Sequence, residues 1–266
     1  MILKRILTLT SAYFYFIFLF FYYVQHCLLK SCQELKQKYP AAKSGIHTID
    51  PLQKARPIEV FCEFDIKGGG FTFLPHSVTN RSDGMEIVDA LFKDRKNVLL
   101  KLKKKGEGKE SYTLIQPHPN YANIDFSVLV NNYSGYTQPK NDFMKEYIFL
   151  GILPKSVANQ KTYQGFKSNG GIVQFKNCDG NPNSLFAFMP NREHQNPSNY
   201  HPNRAYEERG VAVDWRKNAK NITNPEHTMP QTFFFLTELH FGGCGCYTSS
   251  DHWSKYGFNA TAIGIR

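Results

Sequence analysis

Residues 57–74, PIEVFCEFDIKGGGFTFL, alternate apolar and polar side chains, stop at three consecutive glycines and resume as an aromatic run. Ile58, Val60, Cys62 and Phe64 fall on one side of the alternation. Glu59, Glu63 and Asp65 fall on the other, which is the period of a strand with one covered face. Phe61 is the exception. Glycine permits positive φ, so residues 66–70 predict a turn and residues 71–74 an antiparallel return. Such a unit needs something packed on its apolar side. The sequence just upstream offers a short helix over residues 32–39, ended by Pro40, and a strand entered through Gly45.

The remainder reads as more strands. Residues 82–96, SDGMEIVDALFKDRK, predict a helix capped by Ser82 or Asp83, with Ile87, Val88, Leu91 and Phe92 on its apolar face. Residues 97–118 predict a hairpin turning at GEGK. Further strands are expected in IDFSVLVNNYSGY, EYIFLGILP, GGIVQFKNC, SLFAFMP, GVAVDW and TFFFLTELHFGG, with FNATAIGIR as a closing strand. Gly, Pro and Asn separate these runs, as in a sandwich or a strongly bent sheet. The expected fold class is mainly β with one or two short helices (α+β). Residues 31–76 form a first subdomain and residues 77–266 a sandwich-like body, together one continuous ectodomain. The polar stretch 190–209 is expected to be a surface loop that could border a binding site.

Residues 1–30 stand apart. Lys4 and Arg5 precede an uncharged apolar run from Ile6 to Val24, a signal peptide or a signal anchor. The run nearly spans a bilayer, so residues 6–24 would hold the chain in a membrane if left uncleaved. Everything after about residue 30 is then expected outside the cytosol, making the protein secreted or displayed at the cell surface. Asn80, Asn132, Asn221 and Asn259 each sit in an N-glycan acceptor triplet. Six cysteines, at 27, 32, 62, 178, 244 and 246, suit an oxidising compartment.

Ser31-Cys32-Gln33-Glu34-Leu35, then Ser44-Gly45, then Pro57 leading into Val60-Phe61-Cys62-Glu63-Phe64-Asp65, then Gly68-Gly69-Gly70-Phe71-Thr72 form an ordered set. Over residues 31–74 it resembles the first subdomain of fibrinogen C-terminal-like domains, the ficolin and fibrinogen-related group. That family usually carries Trp where Phe71 stands. The later part of such a domain has an acidic calcium loop and a ligand pocket beside a cysteine pair. Here NCDGNPNS (177–184) offers the single carboxylate of Asp179, so neither calcium nor acetyl-group recognition is carried over. Over its full length the chain also resembles uncharacterised secreted cnidarian proteins, some from coral skeletal organic matrix. That likeness gives no residue a role.

Cys62, on the inward face of its strand, can reach a cysteine on a helix packed over that sheet. A Cys32–Cys62 bridge would close about 30 residues and be worth about 3–4 kcal/mol by loop entropy, the alternative being two buried thiols. Cys178 can pair with Cys244 or Cys246, and the remaining cysteine with Cys27 if the anchor is retained. Cys246 with His240 or His252 could instead act as nucleophile and base, or Cys244, Cys246, His240 and His252 could hold a metal. No recognised zinc spacing supports the second reading, and architecture is the favoured role of the sulfur. His194, His201 and Asp214 belong to no motif.

The formal charge is +10. Eight basic residues fall between positions 93 and 109, opposed by Asp94 and Glu107 alone. Lys101, Lys103, Lys104, Lys105 and Lys109 are candidate ligands for an anion such as sulfated glycan, acidic matrix protein or anionic lipid. The bland reading is a solvated hairpin tip. Nucleic acid is disfavoured by topology, not by charge, and is not an expected partner. The sequence thus predicts a lectin-like or matrix-binding extracellular glycoprotein, not an enzyme, needing no cofactor and no metal. The alternative is a secreted hydrolase acting on extracellular polymer.

Overall fold

The computed structural model describes residues 28–92, 97–104, 109–130, 148–153, 157, 163–176, 184–189, 216, 218–241, 247–249 and 258–266. Two helices, α1 (Cys32–Lys38) and α2 (Gly84–Phe92), accompany fourteen strands among them. The larger sheet contains β1 (Gly45–Ile49), β2 (Ile58–Glu63), β3 (Phe71–Phe73), β4 (Val98–Lys104), β5 (Glu110–Pro117), β8 (Tyr163–Ser168), β9 (Gly171–Lys176), β11 (Lys220–Asn221) and β14 (Phe258–Ile265). The smaller contains β6 (Ser127–Val130), β7 (Ile148–Leu153), β10 (Ser184–Met189), β12 (Leu236–Phe241) and β13 (Tyr247–Ser249). Spatial orders are β1-β2-β3-β14-β4-β5-β8-β9, with β11 on β5, and β13-β12-β10-β7-β6. All these pairs are antiparallel. The protein is a mainly-β α+β chain.

The opening segment folds much as its alternation requires. Ser31 caps α1 through Oγ, which accepts from Glu34 N at 3.2 Å. Cys32 and Cys62 are joined by a disulfide and both are fully buried. The glycine turn is obligatory at Gly69. Its φ is +64°, and a Cβ there would lie 1.8 Å from Phe64 O. Lys36 Nζ donates to Phe64 O at 2.6 Å and Gly68 O at 2.7 Å. Arg266 Nη1 donates to Gly69 O at 2.9 Å, so α1 and the chain's last residue both hold this turn.

Alternation divides the larger sheet into two faces. On the front, Val60, Cys62, Leu100, Leu102, Ile115 and Ile263 join one apolar cluster with Ile148, Leu150, Phe186, Phe188 and Leu239 of the smaller sheet. Helix α2 adds Ile87, Val88 and Leu91 to it. Burial of such side chains contributes about 1.5–3 kcal/mol each. On the back, Phe61, Phe71, Phe73, Leu99 and Ala262 form a second cluster with Met229, Phe233 and Phe234. This accounts for Phe61, the exception to the alternation: it packs on the reverse side.

The second cluster exists because residues 224–235 cross the back of the sheet as a strap. Two 3-10 turns, Pro225–His227 and Gln231–Phe233, interrupt it before the Phe235–Thr261 bridge leads into β12. TFFF is therefore no strand. Its aromatic run covers one sheet, and the strand of the other sheet begins at Leu236. FNATAIGIR does form a strand, Phe258–Ile265, and this β14 lies inside the larger sheet, between β3 and β4. The β8–β9 hairpin turns at Asn169 (φ +48°) and Gly170 (φ +90°), and Asn169 Oδ1 accepts from Leu114 N on β5 at 2.9 Å. GVAVDW and the 190–209 loop lie outside the described residues, as does the apolar run 6–24. Among the described residues no helix is long and apolar enough to cross a membrane.

Candidate functional site

The back face carries charge as well as rings. In register, Leu99, Lys101 and Lys103 of β4 stand on the side opposite Leu100 and Leu102. Lys101 is fully buried, so it is not available to an outside anion and leaves the surface set read from the sequence. Its Nζ lies 2.8 Å from Glu63 Oε2, an ion pair with both side chains fully buried. It also donates to His227 O at 2.7 Å. The rings of Phe61 and Phe73 flank the ammonium at 4.6 and 5.2 Å.

Glu63 is saturated with donors. Oε1 accepts from Asp65 N at 3.0 Å, Ile66 N at 3.2 Å and Ser44 Oγ at 3.1 Å. His227 Nδ1 lies 3.1 Å from both Oε1 and Oε2. Burial alone would push the Glu63 carboxyl up, but Lys101 and these backbone donors together hold it below its ordinary range. Burial lowers Lys101, against the pull of Glu63 and Glu110. Glu110, also buried, is pushed up by burial; its Oε1 takes Met229 N at 3.2 Å. Glu63, Asp65 and His227 bring ligand atoms within 4.8 Å of one another, yet Lys101 already supplies the cation beside Glu63, and no metal is assigned there.

The other candidates are scattered. Lys103 is half-buried, its Nζ 3.4 Å from Gln231 Oε1 and 5.6 Å from the Phe234 ring centroid. Lys104 ends β4 and Lys109, exposed, precedes β5, while Lys105 lies outside the described residues. Asn80 and Asn221 are exposed, Asn259 belongs to β14, and Asn132 lies outside the described residues. So do Cys27, Cys178, Cys244, Cys246, Asp179, His194, His201, Asp214 and His252; His240 is on β12. A groove of about 620 Å³ opens between β1, the strap and the turn at His76, lined by Ile46, Glu59, Pro75, His76, Arg81 and Phe233 among others. His76 Nε2 bonds Phe234 O at its wall.

The sequence reading missed the Glu63–Lys101–His227 cluster. In sequence Lys101 resembles its lysine neighbours, although its alternation with Leu100 and Leu102 sets it on the opposite face of β4. Its burial required the strap, which lies 126 residues away at His227. No family model matches the chain, and no curated protein matches it.

Burial lowers His76 and His118 below their ordinary value of 6.5. The unfolded chain therefore binds more protons than the folded one in that window. Stability from these neutral rings is fully present above pH 6.5 and lost as pH falls through the folded values. Glu110 runs the other way, losing stability as pH rises above its ordinary 4.5. Because Glu110 acts in the opposite sense in both proteins, the comparison is between them: from pH 7.5 to 5.5 the urea midpoint is expected to drop less in His76→Gln, whose amide can still donate to Phe234 O, than in wild type. An equal drop in that variant would remove His76 from the explanation.

Proposed function

We propose that the protein is an extracellular or cell-surface glycoprotein that binds anionic glycan or acidic matrix through the end of the β4–β5 pair that carries Lys103 and Lys109. The compartment is supported by the buried Cys32–Cys62 bridge, since cytosolic thiols are kept reduced. The observation that carries the binding reading is how charge is divided there. Lys101 is neutralised inside by Glu63, and Glu110 is buried too, while Lys103 and Lys109 reach the surface. The acid beside Lys109 in sequence is thus withdrawn from the surface, and the +10 charge favours polyanions. The likeness of residues 31–74 to fibrinogen-related domains agrees with a recognition role, and a bridge between helix and second strand suits that subdomain.

Heparin retention tests the reading. Exposed ion pairs contribute about 0.2–1 kcal/mol each, so Lys103→Ala/Lys104→Ala/Lys105→Ala should weaken binding roughly 3- to 160-fold and lower the eluting salt. Lys109→Ala should add to the loss. Unchanged elution of the triple variant would reject the site.

A further inference from the structure

The buried pair on the back face has the geometry of a reaction as well as of an ion pair. Lys101 Nζ lies 2.8 Å from Glu63 Oε2 with both side chains out of contact with solvent. Phe61 and Phe73 wall the amine on its ring side. Fixing amine and carboxyl at this distance replaces a bimolecular encounter by an intramolecular one. The product is neutral, and the donors on Glu63 Oε1 and the acceptor His227 O that now serve the pair remain in place for the amide C=O and N–H.

We propose that Lys101 and Glu63 condense into an intramolecular amide, a covalent crosslink from β4 to β2. The ammonium first passes a proton to Glu63 Oε2 along their hydrogen bond, giving amine and carboxylic acid. The Nζ lone pair then forms a bond to Glu63 Cδ. Negative charge collects on Oε1, where Asp65 N, Ile66 N and Ser44 Oγ already converge at 3.0–3.2 Å as an oxyanion cradle. The proton released by the attacking nitrogen passes to the departing Oε2, and the His227 ring, its Nδ1 3.1 Å from each carboxylate oxygen, holds the group in place. The Cδ–Oε2 bond breaks and Oε2 leaves as water, carrying two of the three ammonium protons. The third stays on the new amide nitrogen, whose N–H can keep the bond to His227 O now made at 2.7 Å. No electrons are exchanged and no co-reactant is needed.

The burial that lowers Lys101 favours the amine. The donors and the ammonium that hold Glu63 down make the ion pair the resting state, so condensation is slow relative to folding. Glu110, a buried acid that interacts with Lys101, and Asp65, 4.0 Å from His227 Nε2, complete the charged surroundings, with Lys103 next along β4.

The test is the mass of the full secreted chain after deglycosylation, reduction and alkylation. The expected result is a mass lower than that of the sequence by one water molecule, no tryptic cleavage after Lys101, and a branched peptide joining Lys101 to Glu63. Lys101→Arg should restore the full mass, and His227→Ala should slow the loss of water. Wild-type protein of full mass, with Lys101 and Glu63 recovered on separate peptides, overturns the proposal without recourse to any variant.

Discussion

Measured against wild-type protein in which the pair is still uncondensed, Lys101→Met is expected to lower stability by about 3–5 kcal/mol, because it leaves the Glu63 carboxylate buried without its cation. Glu63 and Lys101 are both fully buried and 2.8 Å apart, so water cannot take over the role of either. Lys101 Nζ lies over the Phe61 and Phe73 rings, and methionine keeps most of the side chain's volume there. The loss therefore reports charge more than packing. Lys101→Met/Glu63→Gln removes the stranded charge yet keeps an acceptor for Asp65 N and Ile66 N, and should be more stable than Lys101→Met alone. Urea denaturation of the three proteins measures this. A Lys101→Met variant within about 0.5 kcal/mol of wild type, the scale of ordinary surface changes, would contradict the assignment.

The second large effect lies at the bridge. Cys32→Ala/Cys62→Ala should cost about 3–4 kcal/mol on loop entropy alone, for a sequence separation of 30. The bridge ties α1 to the strand that also carries Glu63, and Cys32 N donates to Thr72 Oγ1 at 3.1 Å on β3. Losing it frees the helix whose Lys36 holds the glycine turn. Urea unfolding under non-reducing conditions should show a lower midpoint in the double variant. Identical midpoints would mean that the packing of α1, not the crosslink, orders this end of the sheet.

Local chemistry made the first of these regions readable. The alternation at Ile58–Phe64, the cysteine on its inward side and the glycines at 68–70 each act over a few residues, and together they specify helix, strand, turn and strand. Helix α2 was legible for the same reason: Ile87, Val88 and Leu91 face the core as their spacing requires, although Asp83 pairs with Arg81 at 2.8 Å. The strap was not. A TFFF run has the composition of a strand, and only the neighbouring back face, assembled from β2, β3, β4 and β14, decides that it lies flat as 3-10 turns. The buried cluster was illegible for the same cause, because Glu63 and Lys101 look solvent-facing until the strap covers them. The β8–β9 hairpin did have a local signal, Asn169-Gly170 between alternating runs, which the reading of separate strands passed over.

Folding outside the cytosol is tested most directly by peptide mapping of the unreduced protein from its natural source. The predicted result is a single linked peptide pair containing Cys32 and Cys62, with N-glycan on the exposed Asn80 or Asn221. Alkylatable thiols at both cysteines, together with bare asparagine at both sites, would contradict it.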